Sequence, residues 1–407
     1  MNSFNDSEED KGMALGAYPG LSISRASDRE MALIYFYWSG EERRRTLLDS
    51  RSKQRVEQLI RDCFEEPLLP YRVEWAHGDL ILLFCSPDPS GPLPFKRSLM
   101  TAALEFKGKL EKTMRPHRGA AANARLHAGC SFGLLKRGRD PQLKVHEMTR
   151  EALQNSHNAD ALDEALRLSE LERLLGEKAL RCVYQPIVNI REGRPLGYEA
   201  LSRPQGSAVF PGPLPLFEFA ERAGMDYPLD QLAREQAISG SAGLRPGEKL
   251  FLNLTPQIIN DPQFTPWRTL DLLRKHRLTP EQVVFEITER SSIEDFGSVE
   301  RVLAHYRSQG YRIAIDDVGA GYSSLLSVVE LKPDYIKVDR AIVSGLHTDS
   351  YKAHILETLV LTADRMGIDL IAEGVETQDE LDKLLAMGVN YAQGYLLGRP
   401  GEIGWRL

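Results

Sequence analysis

Sulfur is scarce in this chain and poorly placed for chemistry. The four cysteines, Cys63, Cys85, Cys130 and Cys182, lie far apart, no Cys-x-x-Cys pair occurs, and the nine histidines are not clustered. That argues against a disulfide framework and against structural zinc. Long apolar runs are missing as well: Met31 to Trp38, the longest early one, is far shorter than the ~20 residues that span a bilayer. The N-terminus, acidic and polar, lacks the basic-then-apolar order of a signal peptide, so free thiols in the cytoplasm, with no membrane insertion, are the expectation. Excess positive charge is absent too. A net charge of −7 argues against nonspecific binding to duplex nucleic acid or to an anionic membrane, and an anionic substrate would need metal ions or a locally basic pocket.

What is present is enough chain for two domains: 407 residues of ordinary globular composition. Residues 1–28 read as a tail. Over residues 29–158, a β-rich run at Met31–Trp38, a helix over Ser52–Glu66, a hairpin of Tyr71–Trp75 and Leu80–Cys85, a helix over 95–114, a strand over Leu126–Leu135 and a helix over His146–Ser156 form an α/β sandwich. Residues 159–178 follow as an acid-rich amphipathic helix carrying Leu162, Leu166, Leu168, Leu171, Leu174 and Leu175. It reads either as the first helix of the next domain or as a dimerising connector.

Over residues 179–407 strand, loop and helix repeat. Candidate strands are Cys182–Val188, Leu196–Leu201, Lys249–Leu254, Val283–Ile287, Arg312–Ile315, Tyr335–Val338, Asp369–Ala372 and Tyr391–Tyr395. Helix punctuation lies between them: Thr265-Pro266 as a start, Thr377 with Glu380 as a capping box, and Gly310, Gly367 and Gly388 as stops. Eight such units are the size of a TIM-type barrel. The first two strands are joined only by Arg191-Glu-Gly-Arg-Pro195, too short for a helical crossover, so they must pair antiparallel. The expected fold is a (β/α)8 barrel with one reversed strand.

The apolar run that starts at Arg312 ends in two adjacent carboxylates, Asp316 and Asp317, followed by Gly319 and Gly321. Other candidate strands carry polar residues at the same end: Glu199, Asn253, Glu286 with Glu289 beyond it, Lys337, Glu373 and Gln393. Any one of them has a bland explanation as a solvated strand end. Together they would converge on one mouth of a barrel, where the ligands of such folds bind. Several carboxylates and an amide, with no sulfur or imidazole, form a hard oxygen site suited to Mg²⁺ or Mn²⁺. So many acids make two ions the better reading, and a pair about 4 Å apart suits phosphoester hydrolysis. Lys337 and Arg203 would supply positive charge for a phosphate.

Tyr184-Gln-Pro186, Glu199-Ala-Leu201, Asn253-Leu-Thr-Pro256, Glu286-Ile-Thr-Glu289, Asp316-Asp-Val-Gly-Ala-Gly-Tyr-Ser-Ser324, Ile336-Lys-Val-Asp339, Ala372-Glu-Gly-Val-Glu376 and Gln393-Gly-Tyr395 resemble the motifs of the EAL-domain family, which contains bacterial cyclic di-GMP phosphodiesterases. The resemblance implies a TIM-like barrel with an antiparallel first strand. It implies hydrolysis of cyclic di-GMP to linear pGpG with two Mg²⁺ or Mn²⁺ ions. By the same resemblance Glu199, Asn253, Glu286 and Asp316 hold one ion, and Asp316, Asp317 and Glu373 serve the second. Lys337 positions water or phosphate, and Glu373 is the candidate general base. Gln185, Arg203, Gln393 and Glu376 contact substrate, and Glu289 braces the glycine loop. Val318 stands where the family usually has Phe, and Ala320 where it has Thr.

The first domain is more distantly similar to a GGDEF domain, through its element order and the hairpin turn His77-Gly-Asp-Leu-Ile81. Leu80 takes the place of an acid, and Tyr37-Trp38-Ser39 end the first strand without an aspartate. The resemblance therefore implies a degenerate, noncatalytic regulatory domain. For the whole chain it implies a cyclic di-GMP phosphodiesterase and a homodimer through the barrel or the connecting helix. The alternative is a cyclic di-GMP receptor that acts through protein partners.

Overall fold

Strand β1 (Arg29–Trp38) is apolar almost without interruption because both of its faces are covered. The computed structural model describes residues 28–39, 50–76, 79–86, 92–113, 126–137, 140–158, 160–254, 266–288, 296–319 and 324–404. Glu289, Ala320, Gly321 and the turn His77-Gly78 lie outside them. The chain divides into two compact units, Met1–Arg173 and Leu174–Leu407.

In the first unit β1 is followed by α1 (Ser50–Cys63), β2 (Arg72–Ala76), β3 (Asp79–Cys85), α2 (Pro92–Thr113), β4 (Leu126–Leu135) and α3 (Pro141–Asn155). The strands form one sheet in the order β2-β3-β1-β4, and each pairing is antiparallel. Met31, Leu33 and Tyr35 pack with Met148 and Ala152 of α3. Phe36, of opposite parity, meets Phe106 of α2 edge-on at 5.2 Å. The residues of α3 begin five positions before the expected His146. The cause is local: Asp140 accepts from the Gln142 N–H as N-cap, and Pro141 occupies the first turn.

Helix α4 (Ala161–Gly176) spans the division between the units. Of its expected apolar stripe, Leu162, Leu166, Leu171 and Leu174 are buried, whereas Leu168 is exposed.

The second unit contains β5 (Leu180–Asn189), β6 (Arg194–Pro204), α5 (Pro213–Arg222), α6 (Asp226–Ser239), β7 (Lys249–Asn253), α7 (Pro266–Lys275), β8 (Val283–Thr288), α8 (Phe296–Ser308), β9 (Arg312–Val318), α9 (Ser324–Leu331), β10 (Tyr335–Val338), α10 (Arg340–Val343), α11 (Ser350–Met366), β11 (Asp369–Ala372), α12 (Gln378–Ala386) and β12 (Tyr391–Ala392). Its eight strands close into a barrel, β10-β11-β12-β5-β6-β7-β8-β9. Strand β5 is antiparallel to both neighbours. The side chain of Asn189 accepts from the N–H groups of Arg191 and Glu192, so the short link turns back at once.

The expected helix signals at the far end of the chain are realised. Thr377 and Glu380 form a capping box, and Gly367 ends α11 with φ 69°. The last strand stops at Ala392, earlier than the expected Tyr395, because Gly394 packs directly on the backbone of Val375. A Cβ at Gly394 would lie 2.1 Å from the Val375 oxygen and 2.3 Å from its nitrogen. Gly394→Ala is therefore expected to push the end of β12 off that segment and to destabilise the barrel by about 3 kcal/mol. Urea denaturation measures this, and an unchanged midpoint would contradict the packing argument.

Candidate active site

A barrel strand alternates its side chains, and here the alternation builds two layers. Ile187, Phe251, Val284, Ala314, Tyr335 and Ile371 form an apolar cluster, with Tyr391 packed against it. Two residues further toward the mouth, on the same face of each strand, come Gln185, Asn253, Glu286, Asp316, Lys337, Glu373 and Gln393. Glu199 pairs across β5 with Gln185. The site is thus the next layer of the barrel interior, polar where the floor is apolar.

Lys337 stands at its centre and is fully buried. Its Nζ lies 2.7 Å from Glu373, 2.8 Å from Glu286, 3.1 Å from Asp316 and 3.5 Å from Glu199. Gln393 donates to Glu199 at 2.6 Å and to Gln185 at 3.2 Å, Gln185 donates to the Gly398 carbonyl, and Asn253 faces Glu199 at 3.4 Å. One hydrogen-bonded web therefore ties together residues far apart in the chain.

Asp317 should point away from Asp316, since neighbours on a strand face opposite sides. A register shift between β9 and β10 adds one residue to β9 at this point, and Asp317 adopts a left-handed φ of 59°. This bulge lets oxygens of Asp316, Asp317 and Glu373 come within 4.8 Å of one another. Non-glycine residues enter that region at a cost, which for an aspartate is the smallest among charged residues.

The electrostatics favour further positive charge. Burial, then the charge of Asp316, pushes Asp317 up to about 6. Burial also raises Glu373 to about 8, with Asp316 and Glu199 adding to the shift and Lys337 opposing it. Glu286 is driven well above the usual carboxylate range by burial, against the pull of Lys337. Burial alone would discharge Lys337, but the combined field of Asp316, Glu199, Glu286 and Glu373 outweighs it and holds the ammonium charged. Among the described residues, Glu286 Oε2 and Gln393 Oε1 are buried acceptors with no hydrogen-bond partner. Hard oxygens, excess negative charge and unfilled acceptors fit divalent cations such as Mg²⁺ or Mn²⁺.

Beside this cluster lies a cavity of about 400 Å³ whose wall includes Arg203 and Asn253 together with Leu201, Leu214 and Phe217. Asn253, which faces Glu199, joins its wall to the acid layer.

The family model described as EAL domain matches residues 168–400, more than half of the chain. The chain belongs to the EAL-domain family. Relatives of its EAL domain include the bifunctional diguanylate cyclase/cyclic di-GMP phosphodiesterase MucR of Pseudomonas aeruginosa, 32% identical over 260 residues, which cover 61% of this chain and 37% of MucR. The probable cyclic di-GMP phosphodiesterase PdeB of Escherichia coli is 31% identical over 223 residues, 54% of this chain and 42% of PdeB. The chain thus spans about two fifths of the length of these curated relatives. Among solved structures, the MucR phosphodiesterase in complex with c-di-GMP aligns with a TM-score of 0.54 at 28% identity, covering 58% of this chain and 98% of that one.

Within the EAL domain, the structure brings Glu199, Glu286, Asp316, Glu373 and Lys337 together, joins Gln185, Asn253 and Gln393 to them, and sets Asp317 beside Asp316. Arg203 lines the neighbouring cavity and donates to the Ser202 carbonyl. Glu376 pairs with Arg340 at 3.0 Å on exposed surface. Val318 is fully buried in the layer between barrel and helices. Asp339, which the sequence sets two residues after Lys337 without a role, lends its charge to Asp317 while its side chain caps α10. The buried pair Asp230–Arg234 was not expected from the sequence, although its i,i+4 acid–base spacing was the available signal. Among the described residues no helix is long and apolar enough to cross a membrane.

Proposed function

We propose that the barrel hydrolyses one phosphodiester of cyclic di-GMP to give linear pGpG, with two Mg²⁺ or Mn²⁺ ions. The observation that supports this most directly is the layer of acids around Lys337 at the mouth of an EAL barrel. Glu199, Asn253, Glu286 and Asp316 would hold one ion, and Asp316, Asp317 and Glu373 the other. The ions, when bound, supply Lewis acidity and a more acidic water.

The protein's own groups divide the remaining work. Lys337, kept charged by its neighbours, places a fixed cation where a phosphoryl oxygen develops charge. Glu373, 2.7 Å from Lys337, is the candidate general base for the attacking water. Gln185, Gln393 and Arg203 offer donors to the substrate's phosphates and sugars, and Glu376 contacts it from the rim. Glu289 braces the loop after β9. In the first unit we read a degenerate GGDEF-like regulatory domain, consistent with Leu80 buried in β3 and with Trp38 ending β1. A homodimer in the cytoplasm completes the proposal.

The test is incubation of the purified chain with cyclic di-GMP and Mg²⁺ or Mn²⁺, with the nucleotides resolved by chromatography. Linear dinucleotide is expected. Tight binding without product at any metal concentration would replace this reading with a receptor.

A further inference from the structure

Strand β10 lies between β9 and β11 in the barrel, and its chain continues through Asp339 into the one-turn helix α10. The acids read above as serving the second ion belong to the two flanking segments: Asp316 and Asp317 to β9, and Glu373 to the residues just after β11. Both segments bond to the end of β10. The Asp339 N–H donates to the Val318 carbonyl, and the Glu373 N–H donates to the Val338 carbonyl, each at 3.1 Å. Helix α10 therefore starts where the two acid-bearing segments are joined.

Two of its side chains reach onto those segments, and each lands on a glycine. Ile342 packs on Gly319, two residues beyond Asp317, where a Cβ would lie 2.2 Å from Ile342 Cδ1. Arg340 crosses Gly374, the residue after Glu373, where a Cβ would lie 2.4 Å from Arg340 Cγ and 2.6 Å from its Cβ. Both glycines have left-handed φ, 99° and 70°, so the backbone turns beneath each side chain with nothing between them. In packing this close, a shift of one segment against the other must displace Ile342 or Arg340.

The helix is itself braced. Asp339 caps it by accepting from the Ala341 N–H, and Ile342 and Val343 belong to the buried layer. Beyond its last turn the Gly345 N–H donates to Glu380, a buried carboxylate that also accepts from the N–H groups of Glu376 and Thr377. The guanidinium of Arg340 is tethered to Glu376 at 3.0 Å, with 59% and 40% of the two side chains exposed. An ion pair so exposed adds little to folding. What it fixes is the course of the arginine stem over Gly374.

We propose that α10 sets the spacing between Asp317 and Glu373, with Ile342 and Arg340 as positioning residues that hold these carboxylates ready to share a divalent ion. This rests on the two-ion reading of the same site. The experiment compares wild type, Ile342→Ala, Ile342→Leu, Arg340→Ala and Arg340→Lys. Mn²⁺ alone is titrated calorimetrically into nucleotide-free protein, turnover of cyclic di-GMP is followed against Mn²⁺ concentration, and melting is recorded in EDTA. Arg340→Ala changes an exposed side chain and keeps the test open should Ile342→Ala fail to fold.

In both alanine variants the affinity for one of two Mn²⁺ ions is expected to fall by about tenfold or more, the scale of losing a group that orients metal ligands. The Mn²⁺ concentration giving half-maximal turnover should rise in parallel. Saturating Mn²⁺ should bring kcat back to within about threefold with KM unchanged, and Ile342→Leu and Arg340→Lys should recover part of the affinity. A lower melting temperature with both Mn²⁺ affinities unchanged would show a structural role and overturn the proposal. So would a loss of kcat that saturating Mn²⁺ leaves in place. Wild type that binds two Mn²⁺ ions while the alanine variants bind both equally tightly overturns this proposal alone. Wild type that binds fewer than two overturns the two-ion reading as well.

Discussion

Lys337→Met is expected to abolish detectable turnover and to destabilise the metal-free protein by about 3–5 kcal/mol, the usual cost of removing one partner from a buried charge cluster. Lys337 is the single ammonium among Glu199, Glu286, Asp316 and Glu373, and methionine fills its volume without its charge. The four acids would then face one another in a buried layer and would have to take up protons. The sign of the pH dependence follows from the shifts already present. Glu373 lies at about 8 in the fold against an ordinary 4.5, and Asp317 at about 6 against 3.8. Between those limits the folded chain holds protons that the unfolded chain has released, so their contribution to stability is fully present below pH ~4 and falls as pH rises toward about 8. Without Lys337 these pKa values rise further and the loss extends to higher pH. Urea denaturation in EDTA at pH 6 and pH 8 reads this directly. Equal stability of the variant and wild type at pH 8 would refute the central place given to Lys337.

Glu199→Ala is expected to reduce hydrolysis of cyclic di-GMP by about 10³-fold or more, a loss on the scale of removing a group that stabilises transition-state charge. Its effect on stability should be much smaller than that of Lys337→Met. Glu199 is the acceptor for Gln393 and faces Asn253, so its loss frees two amides, costing about 1–3 kcal/mol each if they stay dry. The same change removes one of the crowded negative charges and relieves Glu286 and Glu373. The two effects oppose each other. Chromatographic assay beside thermal melting separates them: a fall in turnover matched by a collapse in melting temperature would mean that Glu199 is chiefly a structural acceptor.

The two variants have opposite electrostatic signs, and the contrast between them is the useful measurement. Taking out the cation should harm the metal-free fold most, while taking out an acid should harm chemistry most. A site that merely decorated the surface would show neither pattern.

Most of the barrel was legible because each of its strands carries a strong local signal. Tyr335–Val338 and Asp369–Ala372 have the expected limits, being short apolar runs bounded by turns and polar residues. The reversal of β5 followed from the brevity of Arg191–Pro195, a matter of chain length alone. Ends were less legible where tertiary contacts decide them. β12 stops early because Gly394 meets Val375, just beyond the neighbouring strand β11, and β6 runs on to Pro204 because β5 pairs with it over its whole length. The start of α3 was different: Asp140-Pro141 announced it, and the signal was simply outweighed by the apolar pattern further on.

The sequence by itself determined which residues could meet. Period-two alternation carries the apolar face of each strand into Asn253, Glu286, Asp316 and Lys337, and closure of the barrel leaves that face nowhere to point but inward. Tertiary structure decided what those residues do to one another. Burial, which no local pattern encodes, lifts Glu373 and Glu286 and lets four carboxylates keep Lys337 charged. The left-handed bulge at Asp317 depends on how β9 registers against β10, and without it the second aspartate would face the helices. Asp230 and Arg234 have the spacing of a helical pair, but their place in the wall of a cavity required the packing of α6 against β5 and β6. Spacing along the chain is local information, whereas desolvation and register are properties of the assembled barrel.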